Sequence, residues 1–215
     1  MFEHQLRNAY IGEYDFAKYQ EVEYIQSSWT QYINTWFIPT NNTKIELSMW
    51  GLNNAGSNCV LFWARASWST TASTWRWIQL SVNGTTWDYG GMFGRRYNTW
   101  DWGTPFSWLN WENYILEVSQ SWFYENGVNK FTPQTVTFTS PVSLHIFNLN
   151  NNWATEWNSS YKLYYCKIYE SWTLVRDFVP CYRKSDNVIG LYDIVNNQFY
   201  TNAWTWTFTK WPDVN

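Results

Sequence analysis

Glycine is scarce in this chain: 10 residues in 215, below the average usage of about 7%, although the sequence is full of other turn signals. Charge is scarce too, at 14% against about 25% in an ordinary domain. The net charge is −3 and the pI about 5.4, which excludes the basic field that holds nucleic acid or an anionic membrane. No apolar run approaches the roughly 20 residues of a membrane-spanning helix, so no membrane span is expected. The opening segment, MFEHQLRNAYIGEYDFAKYQ, lacks the apolar stretch of a secretory signal. Cysteine is limited to Cys59, Cys166 and Cys181. An odd count without a C-x-x-C pair points to neither a disulfide framework nor a zinc cluster. Cys166, inside YYCKIY, reads as a small buried hydrophobe.

Catalytic constellations are missing as well. There is no G-x-S-x-G elbow, H-E-x-x-H pair or P-loop. The two histidines are His4 and His145. His145 lies in SLHIFNLN, where alternation places it opposite Leu144 and Ile146, and a face-exposed or hydrogen-bonded strand histidine is expected. Stacking on single-stranded nucleic acid needs a positive groove beside the aromatics, and Arg95-Arg96 is the one adjacent arginine pair. No nucleic-acid partner is expected.

What the chain does have is aromatic content, 22%, and short alternating runs. TKIELSM sets Ile45, Leu47 and Met49 on one face, and WIQLSVNGT alternates through Ile78, Leu80 and Val82 into Asn83-Gly84, a strong hairpin signal. NCVLFWAR, YILEVSQ, QTVTFTS, VSLHIFNLN, KLYYCKIYE, TLVRDFVPCYR, GLYDIV and QFYTN continue the style. Two-residue or similarly short gaps at Ser171-Trp172 and Asn196-Asn197 predict further hairpins. Sustained 3.6 periodicity is absent, and the best helical segment is about residues 4–20. Many short strands at this spacing predict an all-β sandwich or barrel, with residues 1–20 as a lead-in segment and 21–215 as one domain.

The 19 tryptophans break the pattern, because several occupy places where a turn-former is wanted: Ser28-Trp29-Thr30, Ser171-Trp172-Thr173, Ala203-Trp204-Thr205-Trp206 and Lys210-Trp211-Pro212. Tight turns require positive φ, which glycine tolerates and a bulky residue does not. Read as glycine, these stretches become ordinary: SSGTQYINTGFIP, LFGARAS, ESGTLVRDF and TNAGTGTFTKG. So read, EYIQSSWTQYINTWFIPTNNTKIEL, LFWARAS and KLYYCKIYESWTLVRDFVPCYRKSDNVIGLYDIVNNQFYTNAWTWTF resemble the laminin-G-like, concanavalin A-like jelly-roll domains of gut bacterial and phage surface proteins. The similarity covers about residues 21–211, closest at the two ends and loosest at about 66–135. UGA codons explain the substitutions, since some bacterial lineages read UGA as glycine while a UGA-as-tryptophan code prints Trp. The competing reading keeps the tryptophans as an aromatic binding surface.

The resemblance implies a two-sheet antiparallel jelly-roll sandwich of about 12–14 strands. It also implies that segments 29–38 and 199–208 lie side by side. The buried face is expected to hold Ile45, Leu47, Ile78, Leu80, Leu144, Ile146, Cys166 and Ile168. Related glucanases carry alternating catalytic carboxylates on one strand, and retaining hydrolysis needs two of them about 5–5.5 Å apart. The nearest matches are Glu13 with Asp15, which lacks a third carboxylate, and Glu21 with Glu23, which reads as an exposed strand face. No enzyme is therefore expected. The implied function is non-catalytic recognition or adhesion, with a glycan or cell-surface ligand as partner, at a bacterial surface or on a phage particle. The rival reading is a structural spacer or assembly domain of a longer protein. Loop-rich segments 84–111 and 148–160 supply the candidate ligand contacts Tyr89, Arg95, Tyr97, Asn150 and Asn152. No cofactor is expected other than Ca²⁺, which takes six to eight oxygen ligands and for which Asp88, Asp101 and the run Asn148–Asn152 offer candidates. Among the C-terminal charges, Arg176, Asp177, Arg183, Lys184, Asp186 and Asp193 read as turn and edge structure.

Overall fold

A computed structural model describes residues 17–53, 59–65, 77–83, 92–97, 113–131, 137–150, 155–156 and 159–214. Among them are seventeen strands and no helix: β1 (Tyr19–Gln26), β2 (Ile33–Asn34), β3 (Thr43–Asn53), β4 (Cys59–Arg65), β5 (Trp77–Asn83), β6 (Met92–Tyr97), β7 (Asn113–Val118), β8 (Phe123–Glu125), β9 (Val128–Phe131), β10 (His145–Ile146), β11 (Leu149–Asn150), β12 (Thr155–Glu156), β13 (Ser160–Glu170), β14 (Thr173–Arg183), β15 (Val188–Asp193), β16 (Gln198–Thr201) and β17 (Thr209–Asp213). The chain is all-β, as its alternation predicts.

The larger sheet runs β16-β15-β14-β1-β13-β3-β7-β8-β9, with β17 paired on β1. The smaller runs β12-β11-β4-β10-β2, with β5 on β4 and β6 on β5. Pairing is antiparallel except between β11 and β4. One apolar cluster draws on both sheets, with Ile45, Leu47, Met49, Leu116 and Ile168 from one and Leu61, Phe62 and Ile146 from the other, so the architecture is sandwich-like. On β3 the expected alternation is clean: Ile45, Leu47 and Met49 are buried while Lys44, Glu46 and Ser48 are half-exposed. Leu144, Ile146, Cys166 and Ile168 are also in the core. Ile78 and Leu80 lie on β5, whose side chains are outside the described residues.

The two ends of the domain meet as expected. Tyr32 N donates to Asn202 Oδ1 at 3.1 Å, Ala203 N to Tyr32 O at 3.0 Å, and Gln31 Nε2 to Thr207 O at 3.1 Å. β17 then pairs with Val22–Gln26 of β1.

Three local expectations are revised. Strands outnumber the predicted 12–14 because long runs are cut. VSLHIFNLN is split into β10 and β11 by Phe147, whose φ is 76°, a left-handed conformation that no strand continues through. Asn83 pairs with Met92, so the β5–β6 connection spans 84–91 instead of closing as a two-residue turn at Asn83-Gly84. The helical reading of 4–20 fails at its end, since Tyr19 and Gln20 begin β1; residues 1–16 lie outside the described residues. Where the chain does spend glycine, the need is visible. A Cβ at Gly190 would overlap Tyr200 O, so β15 and β16 approach there only without a side chain.

Candidate functional site

Three turns converge at one end of the larger sheet. The first, residues 41–42, precedes β3 and is closed by Thr43 N donating to Thr40 O at 3.2 Å. Thr40 N in turn donates to Thr43 Oγ1 at 2.8 Å. The second joins β7 to β8, where Ser119 Oγ accepts from Ser121 N and Trp122 N, both at 3.1 Å. The third, Ser171-Trp172, closes the β13–β14 hairpin between the register partners Glu170 and Thr173. Hydroxyl and amide side chains are natural in such turns because they satisfy backbone groups left unpaired between strands.

Cross-links hold the turns together. The Glu170 carboxylate accepts Thr43 Oγ1 at 2.7 Å and also receives the Thr40 hydroxyl. Ser171 N donates to Asn42 O at 3.2 Å. Between them lies an open cleft of about 140 Å³, lined by Asn42, Thr43, Lys44, Ser119, Gln120, Ser121, Ser171 and Trp172. The Trp172 indole stacks on Trp122, centroids 5.3 Å apart at 29°, and forms an aromatic wall beside the polar lining. Asn41 Nδ2 reaches Gln120 Oε1, and Gln120 Nε2 reaches Asn42 Oδ1, both at 3.4 Å. Bonds that long are at the limit of useful geometry, so a ligand hydroxyl can displace them at small cost.

No family model, curated protein or solved structure matches the chain. The site's chemistry must therefore be read from its own side chains. Its lining is neutral apart from Lys44, whose ammonium sits 3.0 Å from Glu117 Oε2 and 3.6 Å from Glu46 Oε2. Glu46 and Glu117 are direct partners across β3 and β7, and Lys44 bridges them, offsetting one of the two negative charges. Nearby, burial and then the carboxylates of Glu46, Asp177 and Glu117 push the Tyr169 hydroxyl up to about 12. Both Glu46 and Glu117 hold structural ion pairs here. The arrangement suits neutral hydrogen-bonding groups with an apolar face.

The sequence-derived contacts fall elsewhere. Asn150 is on β11, and its Nδ2 donates to Ser143 O at 2.8 Å, which ties β11 to the segment before β10. Arg95 and Tyr97 are on β6, register partners of Leu80 and Ile78, and their side chains are outside the described residues. Tyr89, Asn152, Asp88 and Asp101 also lie outside them. Asn148 is fully buried, with Oδ1 3.0 Å from His145 Nδ1, so it faces the interior. Among the described residues no cluster of acidic, His or Cys side chains is arranged to hold a metal.

His145 is the hydrogen-bonded strand histidine that the sequence suggests, but it is not on an exposed face. It is buried together with Leu144 and Ile146, and its ring stacks on Tyr32 with centroids 4.7 Å apart. Glu23 is exposed on β1 and Glu21 half-buried, a strand face as read. Glu13 and Asp15 are outside the described residues. The Arg176–Asp193 contact, Nε to Oδ2 at 3.4 Å, is ionic without hydrogen-bond alignment. Asp193 Oδ1 accepts Asp177 N at 3.0 Å and Val195 N at 3.1 Å, so these charges brace the β15–β16 turn. Arg183 pairs with Asp186 in the turn before β15, Nη2 to Oδ2 at 2.6 Å.

The cleft has no local signature in the sequence, because its walls come from segments about 80 and 50 positions apart. Only the hairpin signal at Ser171-Trp172 pointed to any part of it.

Proposed function

We propose that the chain is a non-catalytic recognition module for glycans, carried on a bacterial surface or a phage particle, on a concanavalin A-like jelly-roll scaffold. The observation that carries the reading is the cleft where the three turns meet. Asn42, Gln120, Ser119 and Ser121 offer donors and acceptors without net charge, which matches the hydroxyls of a sugar. The Trp122 indole, next to Ser121 and stacked against position 172, supplies the apolar face on which a pyranose ring stacks, and it does so whether or not residue 172 carries a side chain. Scaffold support comes from the two sheets that share a core and from the pairing of β1 with β17. Fold alone does not set function, so the weight rests on the cleft.

The test is a glycan array with folded protein, with and without Ca²⁺, followed by titration of the best hit. Gln120→Ala and Asn42→Ala are expected to weaken binding about tenfold each, the loss of one useful hydrogen bond, with the melting transition unchanged. A folded sample that binds no glycan would move the assignment to a spacer or assembly domain of a longer protein. Release of reducing sugar from any bound glycan would overturn both.

A further inference from the structure

The tryptophans sort into two groups by backbone conformation. Among the described residues, nine non-glycine positions have positive φ, and four of them are tryptophan: Trp29 at 86°, Trp36 at 54°, Trp172 at 69° and Trp206 at 69°. Three of the others are asparagine, at 126, 187 and 197, the side chain that tolerates this region best after glycine. A bulky residue there is a genuine outlier. Burial offsets the strain at none of Trp36, Trp172 and Trp206, which are 70%, 67% and 78% exposed; Trp29 lies only against the rim of the core.

An internal comparison identifies what belongs at these places. The β8–β9 hairpin turns on Asn126-Gly127, with φ of 48° and 77°, between the register partners Glu125 and Val128. The β13–β14 hairpin turns on Ser171-Trp172, with φ of 48° and 69°, between Glu170 and Thr173. Two-residue hairpins with positive φ at both positions favour glycine second, and the chain obeys that rule at 127 and departs from it at 172. Trp29, at 86°, has the φ of the glycine position of a type II turn. Trp204, in the bend before β17, and Trp211, within β17 opposite Tyr24, are also exposed but do not have positive φ.

We propose that positions 29, 36, 172 and 206 are glycine in the protein as its host makes it, encoded by UGA codons that the host reads as glycine. The structure sorts these four from tryptophans at ordinary φ, such as Trp63, which is buried with Val60 and Leu149.

Two measurements test it. Peptides from protein isolated from the native host, sequenced by tandem mass spectrometry across the four positions, should carry glycine; tryptophan at any of them overturns its assignment. Independently, the chain with Trp29→Gly, Trp36→Gly, Trp172→Gly and Trp206→Gly should unfold at higher urea than the all-tryptophan chain. Should the latter fail to fold while the former does, that is the same outcome. Trp204→Gly with Trp211→Gly is the control and should give no such increase. Equal midpoints for the four-glycine and all-tryptophan chains, or a control that gains as much, would overturn the proposal. Neither readout involves glycan, and the functional reading rests on Trp122 and the polar lining instead of Trp172, so failure of one is separate from failure of the other.

Discussion

His145 is a residue whose burial has a measurable cost. Its ring is enclosed, 4% exposed, stacked on Tyr32, and bonded through Nδ1 to Asn148. Burial lowers its pKa from 6.5 to about 4, and the Asn148 hydrogen bond opposes that shift only in part. Between those values the unfolded chain takes up a proton that the folded chain refuses. Stability from this group is therefore complete above pH 6.5 and is lost as the pH falls towards 4, by roughly 3 kcal/mol in total. Urea midpoints measured from pH 7 to pH 4 should fall more steeply for the parent than for His145→Gln. Parallel slopes would mean that the imidazole is hydrated in the folded state. The two buried thiols behave otherwise: burial pushes Cys166 and Cys181 well above the usual thiol range, so both stay protonated and inert at neutral pH.

At the scale of elements, the β15–β16 turn shows how a buried charge is accommodated. Asp193 is fully buried, and its carboxylate is shared by two backbone N–H groups, the Asn196 amide at 2.6 Å and the Arg176 guanidinium. Asp193→Ala strips the turn of its acceptor and leaves Arg176 uncompensated, a loss of about 3–5 kcal/mol. Chemical denaturation of the variant checks this, and a loss below about 1 kcal/mol would show that water replaces the carboxylate. Strand positions such as β3, β13 and β14 were legible in the sequence because alternation is a local signal. Shorter elements were not. Phe147 breaks its strand by a φ value that tertiary packing imposes, and nothing in the letters FNLN announces it. The same reasoning separates the parts of the candidate cleft. The Ser171-Trp172 turn could be read locally, whereas Gln120 and Asn42 meet only after the strands have paired.

Across the whole molecule, the closing contact is β17 on β1, with Val22–Gln26 covered by Thr209–Asp213. Removing residues 209–215 would leave that edge of β1 unpaired, and unpaired edges template association. The shortened chain should elute as larger species than the full chain at equal concentration in size-exclusion chromatography. Unchanged elution would mean that other elements cover the edge. No local pattern in the sequence links residue 25 to residue 210, so the meeting of the ends was not legible from alternation or turn signals. The placement of β1 also has a consequence in time. Its partners are Leu163 and Lys162 on β13, Cys181–Arg183 on β14, and then β17, all made long after it. During synthesis the apolar Val22 and Ile25 must wait, unpartnered, for most of the chain to emerge. Folding that depends on such distant pairings is slow and passes through states with open strands. For this protein the hazardous interval is therefore the one before β17 emerges.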